Sequence, residues 1–277
     1  MLRRLRNLFT RTIRYSLLLI LVCFFLLPVY LLVVTSFKSI GEISIMQMWD
    51  MPSHFSLAGF QQAFKRLYPN ILNSLLLVIP ATLLSTVLGS INGYIFSKWK
   101  FKGSDTLFAV VLFGMFIPYQ SILIPLVKFL ENIGLYGSIP GLILVNVIYG
   151  LPVTTLIFRN YYSRVPNVFI ESAQVNGADI VDIYRHIFLP LSLPGLAVVV
   201  IWQFTNVWNE FLFAVTLTNS PINQPITVAL VNLAGSKVVE WNVQMSGALL
   251  TALPTIIIYI LFGKLFREGL LTTAGTK

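Results

Sequence analysis

Long stretches of this chain carry no charge at all, and six of them read as spans: Tyr15 to Phe37, Leu67 to Ser97, Thr106 to Val127, Asn132 to Phe158, Ile187 to Asn209 and Trp241 to Gly263. Each exceeds the ~20 residues that an α-helix needs to cross the hydrocarbon of a bilayer. The stretches are continuously apolar and do not alternate, which excludes the strands of a transmembrane β-barrel. With 56% hydrophobic and 10% charged residues, the chain has too few polar groups to clothe a water-soluble globule. The sequence therefore predicts an all-α polytopic membrane protein with six transmembrane helices.

Orientation follows from lysine and arginine. If the N-terminus lies inside, the inner segments hold Arg3, Arg4, Arg6, Arg11 and Arg14, then Lys98, Lys100 and Lys102, then Arg159, Arg164 and Arg185, then Lys264, Arg267 and Lys277. The outer segments keep only Lys38, Lys65, Arg66, Lys128 and Lys237. The positive-inside rule then places both termini in the cytoplasm, together with the polar stretch between the fourth and fifth spans. The net charge of +9 reflects this asymmetry toward an anionic inner leaflet of membrane lipid. No aromatic-basic patch or nucleic-acid motif accompanies it, so no nucleic-acid partner is expected.

The basic N-terminus followed by an apolar run resembles a signal peptide, but the run is too long and lacks a small-x-small cleavage site, so it is read as a retained first helix. The expected organisation is a cytoplasmic basic tail at 1–14, a six-helix transmembrane domain at 15–264 with a cytoplasmic loop at 159–190, and a cytoplasmic C-terminal tail at 265–277.

Several chemistries are poorly served. Cys23 is the single cysteine and sits in the first span, and His54 and His186 are the only imidazoles, so no disulfide, thiolate metal site or clustered metal ligation is expected. No Gly-x-x-x-x-Gly-Lys-Ser/Thr loop is present to cradle ATP phosphates, so any ATPase must be a separate subunit. No Ser/His/Asp or paired-carboxylate constellation falls in the spans, and no catalytic residue is assigned. An ion-coupled secondary transporter or channel subunit is the alternative reading. Such proteins place ionisable groups within their helices, and Glu210, toward the outer end of the fifth span, is the candidate, with Lys237 and Glu240 in the following outer segment placed to pair with it or crowd it.

The polar, Gly-punctuated stretch from Glu171 to Pro194 predicts a helix-Gly-helix elbow. Pro166 suits a helical first turn and Gly177 a left-handed terminus, so 166–176 reads as a short helix. A second helix follows, with Asp179 as its cap, Asp182 in the first turn, Arg185 and His186 in the last, and Pro190 as its stop.

Glu171, Ala173, Gly177, Ala178, Ile187, Pro190 and Pro194 occupy the places of the EAA loop, which this stretch resembles, in the permeases of ATP-binding-cassette importers; Ser172 and Asn176 are the departures. The likeness extends along nearly the whole chain. Ser36-Phe37-Lys38 after the first span, Asn73-Ser74 opening the second, Pro118 in the third, Trp208-Asn209-Glu210-Phe211 in the fifth and the Gly269 to Gly275 tail are similar to carbohydrate-importer permeases, the group that includes the smaller membrane subunit of the maltose transporter.

The resemblance implies a type I ABC importer permease fold with a cytoplasmic coupling-helix loop, in the inner membrane of a prokaryote. It implies a homologous second permease, most often as a heterodimer, two ATPase subunits that hold the ATP and Mg while this chain carries no cofactor, and an extracytoplasmic sugar-binding protein. Glu171 would meet basic residues of the ATPase, Ala173 would allow close packing, and Gly177 would permit the turn, with Asn176, Ala178 and Asp179 completing the coupling site. The tail would approach the ATPase as well.

For the substrate, Gln203, Asn206 and Glu210 recur at three- and four-residue spacing on one helix, flanked by Trp202 and Asn209. Amides beside aromatic faces suit a polyhydroxylated ring, and the same amides equally suit bonds between neighbouring helices. Tyr119 and Gln120 beside Pro118, and Asn146 and Tyr149 before Pro152, are further candidates. Within the family the chain looks nearest to permeases for glucose, mannose or small glucosides, including sugar-based osmolytes.

Overall fold

The computed structural model describes residues 2–235 and 239–274, and no strand occurs among them. The helices are α1 (Leu2–Ser36), α2 (Ala58–Lys98), α3 (Ser104–Phe113), α4 (Leu123–Asn132), α5 (Ile139–Ser163), α6 (Val168–Val175), α7 (Ile180–Ile183), α8 (Leu189–Leu191), α9 (Leu193–Asn209), α10 (Leu212–Leu217), α11 (Ile226–Ala234) and α12 (Trp241–Ala274).

Four helical segments are long and apolar enough to span a membrane unaided: Phe9–Ser36, Ala58–Lys98, Ile139–Ser163 and Trp241–Arg267. The third and fifth predicted spans are not continuous. Ser104–Phe116 and Tyr119–Asn132 meet at 89°, and Ile180–Leu191 and Leu193–Asn209 at 76°, so six spans result when each bent pair crosses once. The first bend has a proline cause, because Pro118 lacks an amide donor and forces Ile117 into extended backbone (φ −75°, ψ 115°).

Two further departures concern α2 and the segment after Glu210. Asn73 and Ser74 do not open α2, which starts a full four turns earlier at Ala58. They instead anchor an irregular segment, with Asn73 Nδ2 donating to the carbonyls of Ile222 (2.7 Å) and Gln224 (3.2 Å) and Ser74 Oγ accepting from Ile226 N (2.8 Å). The uncharged stretch after Glu210, which lies outside the six predicted spans, forms α10 and α11.

The chain divides into two compact units. One comprises the residues through Tyr68 with Leu230–Thr251. In it the end of α1 is tied to α12 by Ser246 Oγ donating to Ser36 O (3.1 Å), and Glu240 ion-pairs with Arg66 at 2.6 Å. Phe37 packs on Phe55 and Phe60, and the Lys38 ammonium is buried against the carbonyl of Gln47 (2.6 Å). Between Phe9 and Val29, α1 exposes large apolar side chains on every side, as a helix bathed in hydrocarbon or covered by another chain does.

The other unit, Pro69–Ala229 with the residues from Ala252 onward, is built where α2, α5 and α9 approach closely. A Cβ on Gly93 of α2 would lie 2.6 Å from that of Phe158 on α5, so the two backbones meet with nothing between them, as small residues allow in membranes. At one end of this contact Tyr94, Phe158, Tyr162, Ile170, Ile183, Phe188 and Val199 form a buried aromatic and aliphatic core.

Candidate functional site

Two features flank α9. At its N-terminal end lies the elbow. Helix α6 begins at Val168, two residues later than predicted, and ends in a doubly bonded left-handed turn: Gly177 has φ +81°, Gly177 N donates to Gln174 O (3.0 Å) and Ala178 N to Ala173 O (3.0 Å). This is the Schellman arrangement, which requires a positive φ where only glycine is free of strain. Asp179 then accepts from Asp182 N at 2.7 Å while Asp182 receives Asp179 N, a reciprocal box that closes the next helix start. Asn176 turns its amide back to Ser172 O (2.8 Å).

The predicted second helix does not stop at Pro190. After α7 a π-turn, Tyr184–Phe188, carries Leu189 N to Tyr184 O, and the helical path continues through Pro190 to Leu191. The wider π-turn absorbs the amide that proline lacks, and Pro190 falls in the first turn of α8, where that loss is tolerated. The chain breaks two residues later, at Ser192. Arg185 and His186 therefore lie in the π-turn, not in a terminal turn.

The elbow has two sides. Ala173 and Ala178 pack inward on the aromatic core. Glu171, Asn176 and Asp179 are exposed, and with them the apolar Val168, Phe169, Val175, Ile180 and Val181.

At the C-terminal end of α9 a cavity of about 590 Å³ opens in the same unit. Its wall includes Tyr119, Asn146, Tyr149, Trp202, Gln203, Asn206, Asn209 and Glu210, so all the predicted path residues except Gln120 come together there. Their bonding differs from residue to residue. Gln203 is buried and its Nε2 donates to Ser85 Oγ (3.0 Å) and Asn146 O (3.2 Å), tying α9 to α2 and α5, and Asn146 Nδ2 donates to Leu142 O (2.9 Å). The Gln203 amide is committed to holding helices together, and that of Asn146 to the preceding turn of its own helix. Asn206 and Asn209 are exposed, and each folds its NH₂ onto the preceding turn, to Trp202 O and Thr205 O at 2.8 Å, leaving Oδ1 as an acceptor at the cavity. Tyr119, Tyr149 and Phe213 form a mutually packed ring cluster with centroids 5.1 to 6.4 Å apart.

Glu210 is not a free acid. One carboxylate oxygen accepts from Phe213 N (2.7 Å) and the other from Ala214 N (2.9 Å), so it caps α10, while its own carbonyl receives Thr227 Oγ1 (2.9 Å). Of the neighbours proposed from sequence, Glu240 is paired with Arg66, and Lys237 lies outside the described residues, as do Gly275 and Lys277 of the tail. Phe213 and Gly150 were missed as cavity residues. Phe213 lay just beyond the Trp208–Phe211 motif, and a glycine leaves no chemical signature of the space it provides.

The decisive comparison is with the family described as "Binding-protein-dependent transport system inner membrane component", whose model matches residues 85–268 and so contains both the elbow and the cavity. The chain belongs to that family. This permease is 33% identical to the xylose/arabinose import permease protein XacI of Haloferax volcanii over 95% of the chain and 93% of that protein. It is 26% identical to the glucose import system permease protein GlcU of Saccharolobus solfataricus over 99% of the chain and 98% of that protein. A probable ABC transporter permease of Pyrococcus horikoshii is 51% identical across 166 residues, 60% of each chain. Among solved structures, a bacterial ABC transporter involved in the import of the acidic polysaccharide alginate superposes with TM-score 0.79 at 18% identity, over 93% of this permease and 96% of that chain. The fold is that of a type I ABC importer permease.

Proposed function

We propose that this permease forms half of the path by which an ATP-driven importer carries a neutral sugar, of the size of glucose or a small glucoside, and that the elbow couples the path to separate ATPase subunits. The observation that carries the reading is that α9 joins the two features directly. Its 17 residues, roughly 25 Å at 1.5 Å per residue, lead from the break after the elbow to the wall of the cavity.

The elbow is suited to docking. It presents apolar side chains with Glu171 and Asp179 among them, and its caps hold that shape without help from a partner. The basic residues concentrated on the elbow side support a cytoplasmic position for the elbow and both termini. The cavity supports a polyhydroxylated solute: amide acceptors on Asn206 and Asn209, tyrosine rings and the Trp202 indole converge on it, while both carboxylate oxygens of Glu210 are already engaged in the cap of α10. Relatives named for xylose, arabinose, glucose and diacetylchitobiose import point the same way. A homologous second permease would complete the path, two ATPase subunits would bind the elbows, and an extracytoplasmic binding protein would deliver the sugar.

The test begins with affinity purification of the tagged permease from its native membrane, in which a second permease and an ATPase should co-purify. In proteoliposomes holding that complex and the binding protein, Gly177→Val and Glu171→Lys should assemble yet lose stimulated ATP hydrolysis and uptake of labelled glucose or xylose together. Full retention of both by both variants would refute the coupling role of the elbow.

A further inference from the structure

A chain of four hydroxyls lies directly behind the elbow. Tyr184 Oη is 2.9 Å from Ser90 Oγ, Ser90 Oγ is 2.6 Å from Tyr162 Oη, Tyr162 Oη donates to Ser192 Oγ at 3.3 Å, and Ser192 Oγ donates to Leu189 O at 2.9 Å. The proton count fixes its direction. Because Tyr162 donates onward to Ser192, Ser90 must donate to Tyr162 and Tyr184 to Ser90, so each hydroxyl donates once and the last proton rests on a backbone carbonyl. Ser90, Tyr162 and Ser192 are buried, where a hydroxyl without a partner is costly.

The four residues come from four places. Ser90 is on α2, Tyr162 on α5, Tyr184 in the π-turn and Ser192 at the break before α9. The chain starts in the π-turn and returns to Leu189, the residue that closes that turn. It therefore clasps to α2 and α5 the one covalent connection between the elbow and α9. Without a clasp, a π-turn beside a 76° bend would be the compliant point where a push on the elbow is absorbed.

We infer that the Tyr184–Ser90–Tyr162–Ser192 hydroxyl chain is the joint that makes α2, α5 and α9 follow the elbow as one body, so that it positions the coupling between ATP hydrolysis and sugar movement. This rests on the proposed coupling role of the elbow. Tyr184, Ser90, Tyr162 and Ser192 are positioning residues and touch no solute.

The test uses the complete complex in proteoliposomes, with ATP hydrolysis and uptake of labelled glucose and xylose measured on the same preparation. Tyr184→Phe and Ser90→Ala each remove one hydroxyl and leave the elbow surface untouched. Both should assemble and hydrolyse ATP at the wild-type rate while uptake falls, raising the ATP consumed per sugar by roughly fivefold or more. Ser163→Ala is the control, since Ser163 Oγ bonds to Asn160 O (2.9 Å) within α5 and ties no second element, and it should keep the wild-type ratio. A structural role alone would lower thermal stability and both activities in proportion, with the ratio unchanged. An unchanged ratio in Tyr184→Phe, whose partly exposed ring keeps its packing, overturns the inference even where Ser90→Ala fails to assemble. If Gly177→Val and Glu171→Lys abolish transport but the hydroxyl variants stay coupled, the joint is wrong and the elbow stands; if the elbow variants are silent, the underlying reading fails first.

Discussion

Gln203 fills the space that Gly150 leaves open between α9 and α5, and a Cβ on Gly150 would overlap its side-chain amide. From that position one amide reaches Ser85 on α2 and the Asn146 carbonyl on α5. Gly150→Ala should displace it and cost about 1–3 kcal/mol by overpacking, read as a lower unfolding midpoint of the purified permease in detergent. Gln203→Ala should lose its interhelical bonds, about 0.6 kcal/mol each in a membrane. The double variant should be less destabilised than the sum of the singles, and strict additivity would show that the pair is not coupled.

The cavity wall makes a separate prediction. Trp202→Ala or Asn206→Ala should leave assembly intact and weaken uptake of labelled glucose or xylose, by about 1 kcal/mol or roughly fivefold in apparent affinity, because each removes a stacking face or an acceptor. Wild-type uptake of both sugars in both variants would assign these side chains to packing.

Glu210 separates ATP-driven transport from ion coupling. As a cap for α10, its replacement by Ala should cost about 1 kcal/mol of stability, with Gln closer to wild type. Uptake in ATP-loaded proteoliposomes should survive a protonophore. Loss of uptake on collapse of the proton gradient, with ATP still present, would revive a carrier mechanism.

Topology can be read directly. A reporter fused after Lys102 or after Arg164 should be cytoplasmic, and one inserted at Ser53 should be external. An external signal at Arg164 would place the elbow beyond the reach of any cytoplasmic ATPase.

Much of this was legible in the sequence where a local rule decides the outcome. Apolar, uncharged length located the spans, Gly177 and Asp179 announced the elbow through turn and cap chemistry, and helical spacing gathered Trp202, Asn206, Asn209 and Glu210 on the cavity wall. What escaped depends on partners distant in sequence. The donors of Gln203 are spent on Ser85 and Asn146, and nothing near position 203 reveals it. Pro190 has the same chemistry whether a helix stops before it or widens into a π-turn, and hydropathy alone does not distinguish a straight span from one bent at Pro118 or Ser192. Helices α10 and α11 were missed because Asn219-Ser220-Pro221 and Asn223-Gln224-Pro225 break their apolar stretch below spanning length.

The self-capped elbow has a consequence for how docking partners are chosen. Because Gly177 closes one helix and the Asp179–Asp182 box opens the next using only residues of the segment itself, its shape exists before any partner arrives, and little ordering entropy is lost on docking. Shape and recognition are thereby carried by different side chains. The outward Glu171, Phe169, Val175 and Ile180 are free to be exchanged one at a time, retuning which nucleotide-hydrolysing subunit is accepted while the turn beneath them stays the same.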